Sequence, residues 1–404
     1  MAEKPQLSIV SYTQGTYIIV EGNRDASKFF IIQRGKVLVT GMNMDTESGD
    51  ARTLGPGDFF GILAAMSGHT QVETAQAITD TLLVSVNVQQ FEGLIQYNTP
   101  IAMKIIQQFS RRVRQLNNAL AELTTKGENK DDDPEILFRN AQYYAAKKDF
   151  LKAFYCYRRY IECYPQAEHK QNALVQLKEL QQYNKIGWTS IPGNDFQRKY
   201  PKNTLICAEG EVGKEMYIIQ SGRANIIRVV NGAEIVLAVL KPGDMFGEMS
   251  LLESKPRSAG AVALEDCTVL TVSKENFETM TATKPQLIAR LTQNLAGRIW
   301  FSYKQLANAR MSDPTARFFD TLYMHLEKEK VNFAPHTSYV FNLGFDQLLQ
   351  MANVPPTEKR HIMRAIEDNK AFKLVSDKIM TSDVIEIVKL SDFYKKQYAR
   401  THKK

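Results

Sequence analysis

The residues best suited to hold a ligand form two short runs, Phe246-Gly247-Glu248-Met249 and, nine positions after the glutamate, Arg257-Ser258-Ala259. A glycine that opens a short helix leaves backbone N–H groups free at the helix N-terminus, where the partial positive charge favours an anion. Arg257 adds a planar fork for two phosphate oxygens, and Ser258 adds a hydroxyl donor. Glu248 cannot stabilise a phosphate, but it can accept hydrogen bonds from a ribose hydroxyl. Together these residue types predict a site for a sugar phosphate.

The same series of short motifs rich in glycine and proline occurs twice in the chain. Residues 19–61 contain EG, FFIIQRG and PGDFFG in order, and residues 209–247 contain EG, MYIIQSG and PGDMFG. Short β-rich runs alternate with Gly, Asn and Asp in both copies, which is typical of a small antiparallel β-roll. The sequence therefore predicts two copies of one domain.

The first copy lacks the ligand chemistry of the second. Ile62 stands where the second copy has Glu248, and the place of Arg257 falls on Thr70 or Gln71, depending on a one-residue gap. An anion clamp and a ribose acceptor each contribute on the order of 1–3 kcal/mol, so tight binding without them is hard to reach. We therefore expect the first copy to be degenerate and to serve the architecture.

Each copy is followed by a helical pattern with one apolar stripe. The first stripe consists of Ile101, Ile105, Phe109, Val113, Leu116, Leu120 and Leu123, and the second of Ile288, Leu291, Leu295, Ile299 and Leu306. Apolar residues that recur every three and four positions indicate amphipathic helices. Both stripes predict a seam against a partner helix.

Between the copies, a charged linker at residues 126–133 precedes a helical insert that resembles one tetratricopeptide repeat. If Pro165 is its closing proline, the small and aromatic positions that interlock its two helices are Ala141, Tyr144, Ala153 and Tyr157. An open stack usually needs three or more repeats. A spacer packed on its neighbours is therefore favoured, and a peptide-binding groove is the alternative.

The C-terminal part has the element order of a winged helix-turn-helix. Ser312-Asp313-Pro314 supplies an N-cap and a proline in the first helical turn. The elements expected after it are a strand at 339–343, helices at 345–352 and 357–369, a hairpin around 376–378, and a strand-like alternating run at 384–388. Asn353 falls at the tight turn between the two helices, where a residue that tolerates a left-handed backbone is needed.

From about residue 190 to 390 the chain resembles the Crp-Fnr (catabolite activator) superfamily of cyclic-nucleotide-binding domain proteins. FGE and PRSA carry the resemblance, because they follow EG, YIIQSG and PGD in order. The resemblance implies that Gly247 and the next amides hold the cyclic phosphate with Arg257 and Ser258, while Glu248 takes the ribose 2′-OH. The alternative is a β-roll that binds nothing and keeps Glu248 and Arg257 as an internal ion pair.

The resemblance also implies roles for the second long helix and for the ligand. In the family this helix dimerises and reaches across the ligand, and Ser302 matches the residue that contacts the purine amine. The alternative for Ser302 is an exposed serine or one bonded to its own helix. Because the helix dimerises in the family, a homodimer is expected. The Ser258-Ala259 pair favours cyclic AMP over cyclic GMP as the effector, because threonine is the commoner residue for contacting guanine.

The helix that would read DNA departs from the family pattern. Pro356, Thr357 and His361 occupy the base-reading positions of activator-type members. Proline cannot read a base, so the family's sequence specificity does not carry over. The candidate DNA-contact residues are Thr357, Lys359, Arg360, His361 and Arg364.

Composition and residue counts argue against other classes. With 44% hydrophobic and 24% charged residues the chain of 404 residues is an ordinary globular one, and its net charge of +7 permits an acidic partner without requiring one. The four cysteines form no CxxC pair and the six histidines show no ligand spacing, so no metal site is predicted, and His69 is expected in a surface loop.

We find no signal peptide and no membrane-length apolar run, which indicates the cytoplasm. We find no pair of nucleophile and base, so we expect no enzyme, no catalytic residues and no catalytic cofactor.

The sequence thus predicts an α+β multidomain protein with two antiparallel β-roll (jelly-roll-like) domains, each with a trailing helix, an α-helical hairpin insert and a winged helix-turn-helix. The expected boundaries are 1–125 (degenerate copy), 126–134 (linker), 135–185 (insert), 186–283 (nucleotide-binding copy), 284–311 (dimerisation and coupling helix) and 312–404 (winged helix). The favoured function is a cyclic-nucleotide-responsive transcriptional regulator, in which the ligand orders the coupling helix and repositions the winged helix on DNA. The alternative is a cyclic-nucleotide-controlled interaction protein, with the insert as a possible protein contact and no sequence-specific DNA binding.

Overall fold

The computed structural model describes residues 7–41, 51–125, 133–183, 196–230 and 232–401, so most of the predicted linker lies outside it. The first copy forms two antiparallel sheets, with the strand orders β1-β8-β3-β6 and β2-β7-β4-β5. Its strands are β1 (Ser8–Tyr12), β2 (Tyr17–Ile19), β3 (Lys28–Arg34), β4 (Val37–Gly41), β5 (Arg52–Leu54), β6 (Phe59–Phe60), β7 (Glu73–Ala77) and β8 (Thr81–Asn87). The helices are α1 (Ile62–Ser67), α2 (Phe91–Tyr97) and α3 (Thr99–Thr125).

The insert is helical and packs on the second copy. Its helices are α4 (Glu135–Ala146), α5 (Phe150–Cys163) and α6 (Lys170–Leu180). The four predicted interlocking positions are all buried, namely Ala141, Tyr144, Ala153 and Tyr157. On α5, the Tyr155 hydroxyl donates to Glu211 at 2.8 Å and the Arg159 guanidinium donates to the same carboxylate at 2.9 Å. These contacts favour a spacer held against its neighbour over an open groove.

The second copy repeats the two-sheet arrangement, with the strand orders β14-β11-β16-β9 and β10-β15-β12-β13. Its strands are β9 (Gln197–Tyr200), β10 (Leu205–Cys207), β11 (Glu215–Ser221), β12 (Ala224–Val230), β13 (Ala233–Leu240), β14 (Met245–Phe246), β15 (Gly260–Ala263) and β16 (Cys267–Ser273). The helices are α7 (Glu248–Glu253), α8 (Lys274–Thr283) and α9 (Pro285–Ala309).

Backbone hydrogen bonds decide which residue of the first copy matches Arg257. The Gly210 N–H donates to the Arg257 carbonyl at 2.8 Å, and the Gly22 N–H donates to the Gln71 carbonyl at 2.8 Å. Gly22 and Gly210 are the glycines of the two EG motifs, so they occupy equivalent positions in the two copies. Gln71, and not Thr70, therefore takes the place of the arginine.

The two seam helices, α3 and α9, pack against each other within one chain. Leu116 of α3 and Leu295 of α9 are fully buried in a common apolar cluster. At the edge of the seam, the Arg112 guanidinium donates to the Tyr303 hydroxyl at 2.9 Å. Leu123, predicted at the end of the first stripe, is 45% exposed. We expected α9 to pair two copies of the chain, but its stripe is filled internally, so a homodimer would have to use another surface.

The C-terminal segment follows the predicted order up to its last element. It contains α10 (Pro314–Lys328), β17 (Tyr339–Gly344), α11 (Phe345–Met351), α12 (Lys359–Glu367), β18 (Phe372–Val375), β19 (Lys378–Thr381) and α13 (Val384–Thr401). The strands form one antiparallel sheet in the order β17-β19-β18. Asn353, at the turn after α11, has a φ of 49°, which is the left-handed backbone expected there.

The prediction of a strand-like run at residues 384–388 was wrong, because these residues open α13. Val384 and Ile387 are fully buried, and their spacing of three places them on one helical face. That face packs against α10. A five-residue run that is apolar except for Glu386 fits both the strand period of two and the helical period of 3.6, and packing on a neighbouring helix decides between them.

Candidate functional site

The turn between β14 and α7 is built on Gly247. Its φ of 77° is left-handed, which favours glycine, and it caps α7. The Arg257 guanidinium lies so close that any side chain at this position would collide with it. The turn at Gly247 and the loop that carries Arg257, ten positions later, are therefore in direct contact.

Arg257 is a buried cation surrounded by neutral acceptors. It is 4% exposed. Its Nη1 donates to the Gly247 carbonyl and to the Ser250 hydroxyl, both at 3.0 Å, and its Nη2 donates to the Glu215 carbonyl at 2.8 Å. The guanidinium also lies over the Tyr217 ring, 5.1 Å from its centroid. Among the described residues no carboxylate forms an ion pair with Arg257, and Glu211 is a nearby carboxylate that acts on it without direct contact.

Glu248 is completely buried, and its partner is on the long helix. Its Oε1 accepts from Nη1 of Arg298 at 2.7 Å, while within the described ranges its Oε2 has no hydrogen-bond partner. The alternative in which Glu248 pairs with Arg257 is therefore wrong. Sequence reasoning missed Arg298, although a cation four positions before Ser302 on the same helix was a usable signal.

The remaining predicted residues of the two runs lie in the same buried loop region. The Phe246 ring stacks on the Tyr217 ring with centroids 5.0 Å apart. The Ser258 hydroxyl lies 3.8 Å from the Met249 sulfur. Ala259 is partly buried and packs on the main apolar cluster. The structure thus brings the two sequence runs together.

A cavity of about 210 Å³ lies against α9. Its apolar lining includes Ile226, Leu237 and Leu240 of the second copy. Arg298 and Ser302 line it from α9. We call it the α9 cavity.

Ser302 is only 8% exposed, which excludes the exposed alternative. In the described part of the chain its hydroxyl has no hydrogen-bond partner, so the back-bonded alternative is excluded as well. Because Ser302 lines the α9 cavity, its hydroxyl can bond to water or to a ligand there.

Arg257 lines a different cavity, of about 370 Å³, between α5 and the second copy. Tyr155 and Arg159 of α5 face it, together with Glu211 and Lys214. The predicted phosphate ligand and the predicted base contact therefore line separate cavities. Glu248 lies between them, because it pairs with Arg298 of the α9 cavity and follows Gly247, whose carbonyl accepts a hydrogen bond from Arg257.

Residues of the first copy also line the α9 cavity, namely Ser67, His69 and Asn117. His69 was expected in a surface loop, but its ring stacks on Trp300 of α9 with centroids 3.7 Å apart. Burial lowers the pKa of His69 to about 4, with Lys330 and Lys304 acting in the same direction. The imidazole is therefore neutral near pH 7.

The corresponding turn of the first copy carries its own carboxylate. Gly61 has a φ of 75° and caps α1, as Gly247 caps α7. Its N–H donates to the Glu73 carboxylate, which also pairs with Arg52 at 3.6 Å. Ile62 is buried in the core, and Gln71 donates to the Asp25 carbonyl at 3.3 Å. The amide that could face an anion is thus already bonded to a carboxylate.

The candidate DNA-contact residues lie at the start of and along α12. Thr357, Arg360, His361 and Arg364 are exposed. Lys359 differs, because its ammonium pairs with Asp346 and lies 5.9 Å from the centroid of the Phe345 ring. In the described ranges neither Arg360 nor Arg364 forms an ion pair.

The described residues contain neither a helix that could span a membrane nor a cluster that could hold a metal ion. None of the helices combines the length and the apolar composition needed to span a membrane. Within the same residues, no cluster of three or more His, Cys, Asp or Glu side chains could hold a metal ion.

Comparison with known proteins gives matches at both β-rolls. The family model of the cyclic nucleotide-binding domain matches residues 9–98 and 197–284. The cyclic AMP receptor protein of Thermus thermophilus is 39% identical over 106 residues, which cover 26% of this chain and 49% of the relative. The cAMP-activated global transcriptional regulator CRP of Salmonella typhimurium is 31% identical over 133 residues, which cover 32% of this chain and 63% of the relative.

The chain therefore spans about half to slightly under two thirds of the length of these relatives. Among solved structures, a CooA mutant from Carboxydothermus hydrogenoformans has a TM-score of 0.42 at 15% identity, over 49% of this chain and 88% of the other. The cyclic nucleotide-binding domain model thus matches both copies, and the two curated relatives are named a cyclic AMP receptor protein and a cAMP-activated global transcriptional regulator.

Proposed function

We propose that the protein is a cyclic-nucleotide-responsive transcriptional regulator whose effector binds the second copy. The observation that carries the proposal is Arg257, a buried guanidinium without a carboxylate partner in the described chain. A buried charge is costly unless it is paired, so this site favours an anionic ligand. A cyclic nucleotide carries one negative charge, which would neutralise it.

The proposed contacts follow the chemistry of each group. Arg257 and Ser258 take the cyclic phosphate with the amides at Gly247, and the guanidinium exchanges its bonds to carbonyls for stronger bonds to phosphate oxygens. Glu248 has a buried Oε2 without a partner, which suits a ribose hydroxyl donor. Ser302 meets the base. Binding then requires a rearrangement that joins the two cavities around Glu248.

We propose cyclic AMP as the effector. Ser258-Ala259 after the arginine favours it, and the curated relatives are named as cyclic AMP receptors or cAMP-activated regulators. Calorimetric titration of the full chain with cyclic AMP, cyclic GMP and cyclic dinucleotides tests both the site and the ligand. We expect saturable binding of cyclic AMP that is tighter than that of cyclic GMP. Absence of binding for every cyclic nucleotide would contradict the proposed function.

The proposed output is DNA binding by residues 312–404 acting as a winged helix. Arg360 and Arg364 are exposed on α12 without ion-pair partners in the described ranges, so they can contact phosphates. We expect the affinity for duplex DNA to fall with salt, and the slope to decrease in Arg360→Ala. The matched control is Arg24→Ala, which removes an exposed arginine from the first copy.

A second candidate is a cyclic-nucleotide-controlled interaction protein. Pro356 at a base-reading position and the ion pair that holds Lys359 to Asp346 favour it. If duplex DNA binding is weak and unaffected by Arg360→Ala while nucleotide binding is intact, this second candidate replaces the first.

A further inference from the structure

The C-terminal segment closes one side of the α9 cavity. Lys328, the last residue of α10, lines it together with Glu329 and Lys330, which follow the helix. The cavity is therefore formed by both copies and by the segment proposed to bind DNA. A ligand in this cavity would lie against all three parts of the chain.

Three of the six charged Lys, Arg, Asp and Glu side chains that line the α9 cavity form ion pairs among the described residues. Lys241 forms an ion pair with Glu329 at 3.0 Å, and Arg298 pairs with Glu248. Asp244 accepts a hydrogen bond from the backbone N–H of Lys241 at 2.9 Å. Among the described residues, the ammonium groups of Lys328 and Lys330 have no hydrogen bond and no ion pair, and of the two only Lys330 is exposed.

The ammonium of Lys328 instead lies over an aromatic ring, 4.9 Å from the centroid of Phe301. Burial lowers the pKa of Lys328, and Lys241 and Arg298 act in the same direction, while Glu329 and Asp244 oppose it. The charged form is thus incompletely compensated. An ammonium group has three donors and no acceptor, so a ligand must offer it an acceptor atom.

We propose that the Lys328 ammonium donates to an acceptor atom of the nucleotide bound in the α9 cavity and so transmits occupancy directly to the C-terminal segment. The proposal rests on the proposed function for the class of ligand. The acceptor is a base atom such as purine N7, because Ser302, the proposed base contact, lines the same cavity as Lys328, while Arg257, the proposed phosphate ligand, lines the other one.

Lys328 belongs to α10, so a contact between Lys328 and the ligand connects the α9 cavity directly to the C-terminal segment. α10 packs against α11 and α13, and its Asp320 accepts a hydrogen bond from Ser391 of α13 at 2.9 Å. A ligand that attracts Lys328 therefore acts on the helix at the centre of the C-terminal segment. This connection does not require α9 to change its order.

The test uses Lys328→Met in the full chain, because methionine keeps an unbranched stem on the Phe301 ring and removes only the charge and the donors. We expect affinity for cyclic AMP about tenfold weaker, equivalent to about 1.4 kcal/mol. We also expect the ligand-induced gain in amide-exchange protection over residues 314–328 to be lost. The matched control is Lys178→Met on the exposed face of α6, which should change neither.

An analogue checks the acceptor. If Lys328 donates to N7 of the base, 7-deaza cyclic AMP loses affinity for the wild-type chain, and Lys328→Met weakens its binding no further. A full effect of Lys328→Met on the binding of 7-deaza cyclic AMP would contradict N7 as the acceptor. Lys328→Arg should recover part of the affinity and of the protection.

If the wild-type chain binds cyclic AMP and Lys328→Met keeps both the affinity and the ligand-induced amide-exchange protection over residues 314–328, the proposed role of Lys328 is wrong. The proposed function is then unaffected. Wild-type chain that binds no cyclic nucleotide contradicts the proposed function, and the inference with it. Circular dichroism of the variant separates a loss of contact from a loss of fold.

Discussion

The two β-roll copies share a backbone turn and differ in the charged side chain that bonds to it. Gly61 and Gly247 have nearly equal φ angles, of 75° and 77°, and each caps a six-residue helix. In the first copy Glu73 supplies a carboxylate to the Gly61 amide. In the second copy the nearby charge is the cation Arg257. The shared turn therefore does not make a ligand site by itself, because in the first copy a carboxylate already bonds to the glycine amide, whereas in the second copy a cation bonds to the glycine carbonyl.

The degenerate copy has a structural role that its missing residues do not reveal. Its long helix fills the seam of α9, and its His69 and Asn117 line the α9 cavity. The α3 helix thus fills the stripe of α9 at which the sequence predicted a second molecule. The first copy therefore contributes to the cavity beside α9 without the charged residues of the second copy.

The largest expected difference between the copies concerns the buried ion pair. Arg298→Ala leaves the carboxylate of Glu248 buried without compensation, so we expect it to lower the free energy of unfolding by about 3–5 kcal/mol. Arg112→Ala, at the matching position of α3, removes only bonds to Tyr303 and Gln115 and should cost about 1 kcal/mol. Chemical denaturation measures both.

A double variant checks the cause of this loss. Glu248→Ile combined with Arg298→Ala reproduces the apolar residue of the first copy and removes both charges. It should recover most of the stability, because no unpaired charge stays buried. A double variant as unstable as Arg298→Ala would show that packing, and not charge, is responsible.

The next effect tests the carboxylate of the first copy. Glu73→Ala leaves the buried Gly61 N–H without its acceptor, so we expect a loss of about 1–3 kcal/mol of stability. Glu73→Gln keeps an acceptor oxygen and should lose less. Neither variant should gain a nucleotide site, since Ile62 and Gln71 offer no charge. A second binding event in Glu73→Ala would mean that the carboxylate alone blocks the first copy.

A smaller effect is expected at Gly297 within α9. A methyl group there meets no atom within 4 Å, so Gly297→Ala should raise the stability of the helix by about 1 kcal/mol. We also expect the variant to reduce the gain in amide-exchange protection that cyclic AMP produces over residues 288–306. An unchanged gain would argue against an order change in α9 as a transmission step.

The smallest effect is expected at Ser302. Ser302→Ala should keep most of the affinity for cyclic AMP, because a single neutral hydrogen bond contributes about 1 kcal/mol net. It should lose much of the protection over residues 288–306. Protection equal to that of the wild type would leave Ser302 as a lining residue without a role in coupling.

The sequence was sufficient where short motifs determine the structure and insufficient where packing does. The paired EG and PGD motifs predicted both β-rolls, and Asn353 predicted its own left-handed turn. Periodicity also predicted both seam stripes, but it could not show that α3 and α9 pair within one chain. That pairing depends on how the insert and the two rolls pack.

The charged partners of the site were the main omission. Arg298 is fifty positions from Glu248, and Glu73 is twelve positions from Gly61. Such contacts arise only after the long helix or the neighbouring strand is placed, so spacing in the sequence gives little indication of them. Lys328 is eighty positions from Glu248 and belongs to another segment, and for the same reason no motif pointed to it.

Calorimetric titration of the full chain with cyclic AMP tests the difference between the copies most directly when wild type, Arg257→Ala and Gln71→Ala are measured together. We predict one site per chain in the wild type and in Gln71→Ala. In Arg257→Ala the loss of a charge-assisted bidentate contact should weaken binding by about 2–4 kcal/mol, which is roughly 30- to 1000-fold. Two sites per chain in the wild type, or wild-type affinity in Arg257→Ala, would contradict the assignment of the ligand to the second copy alone.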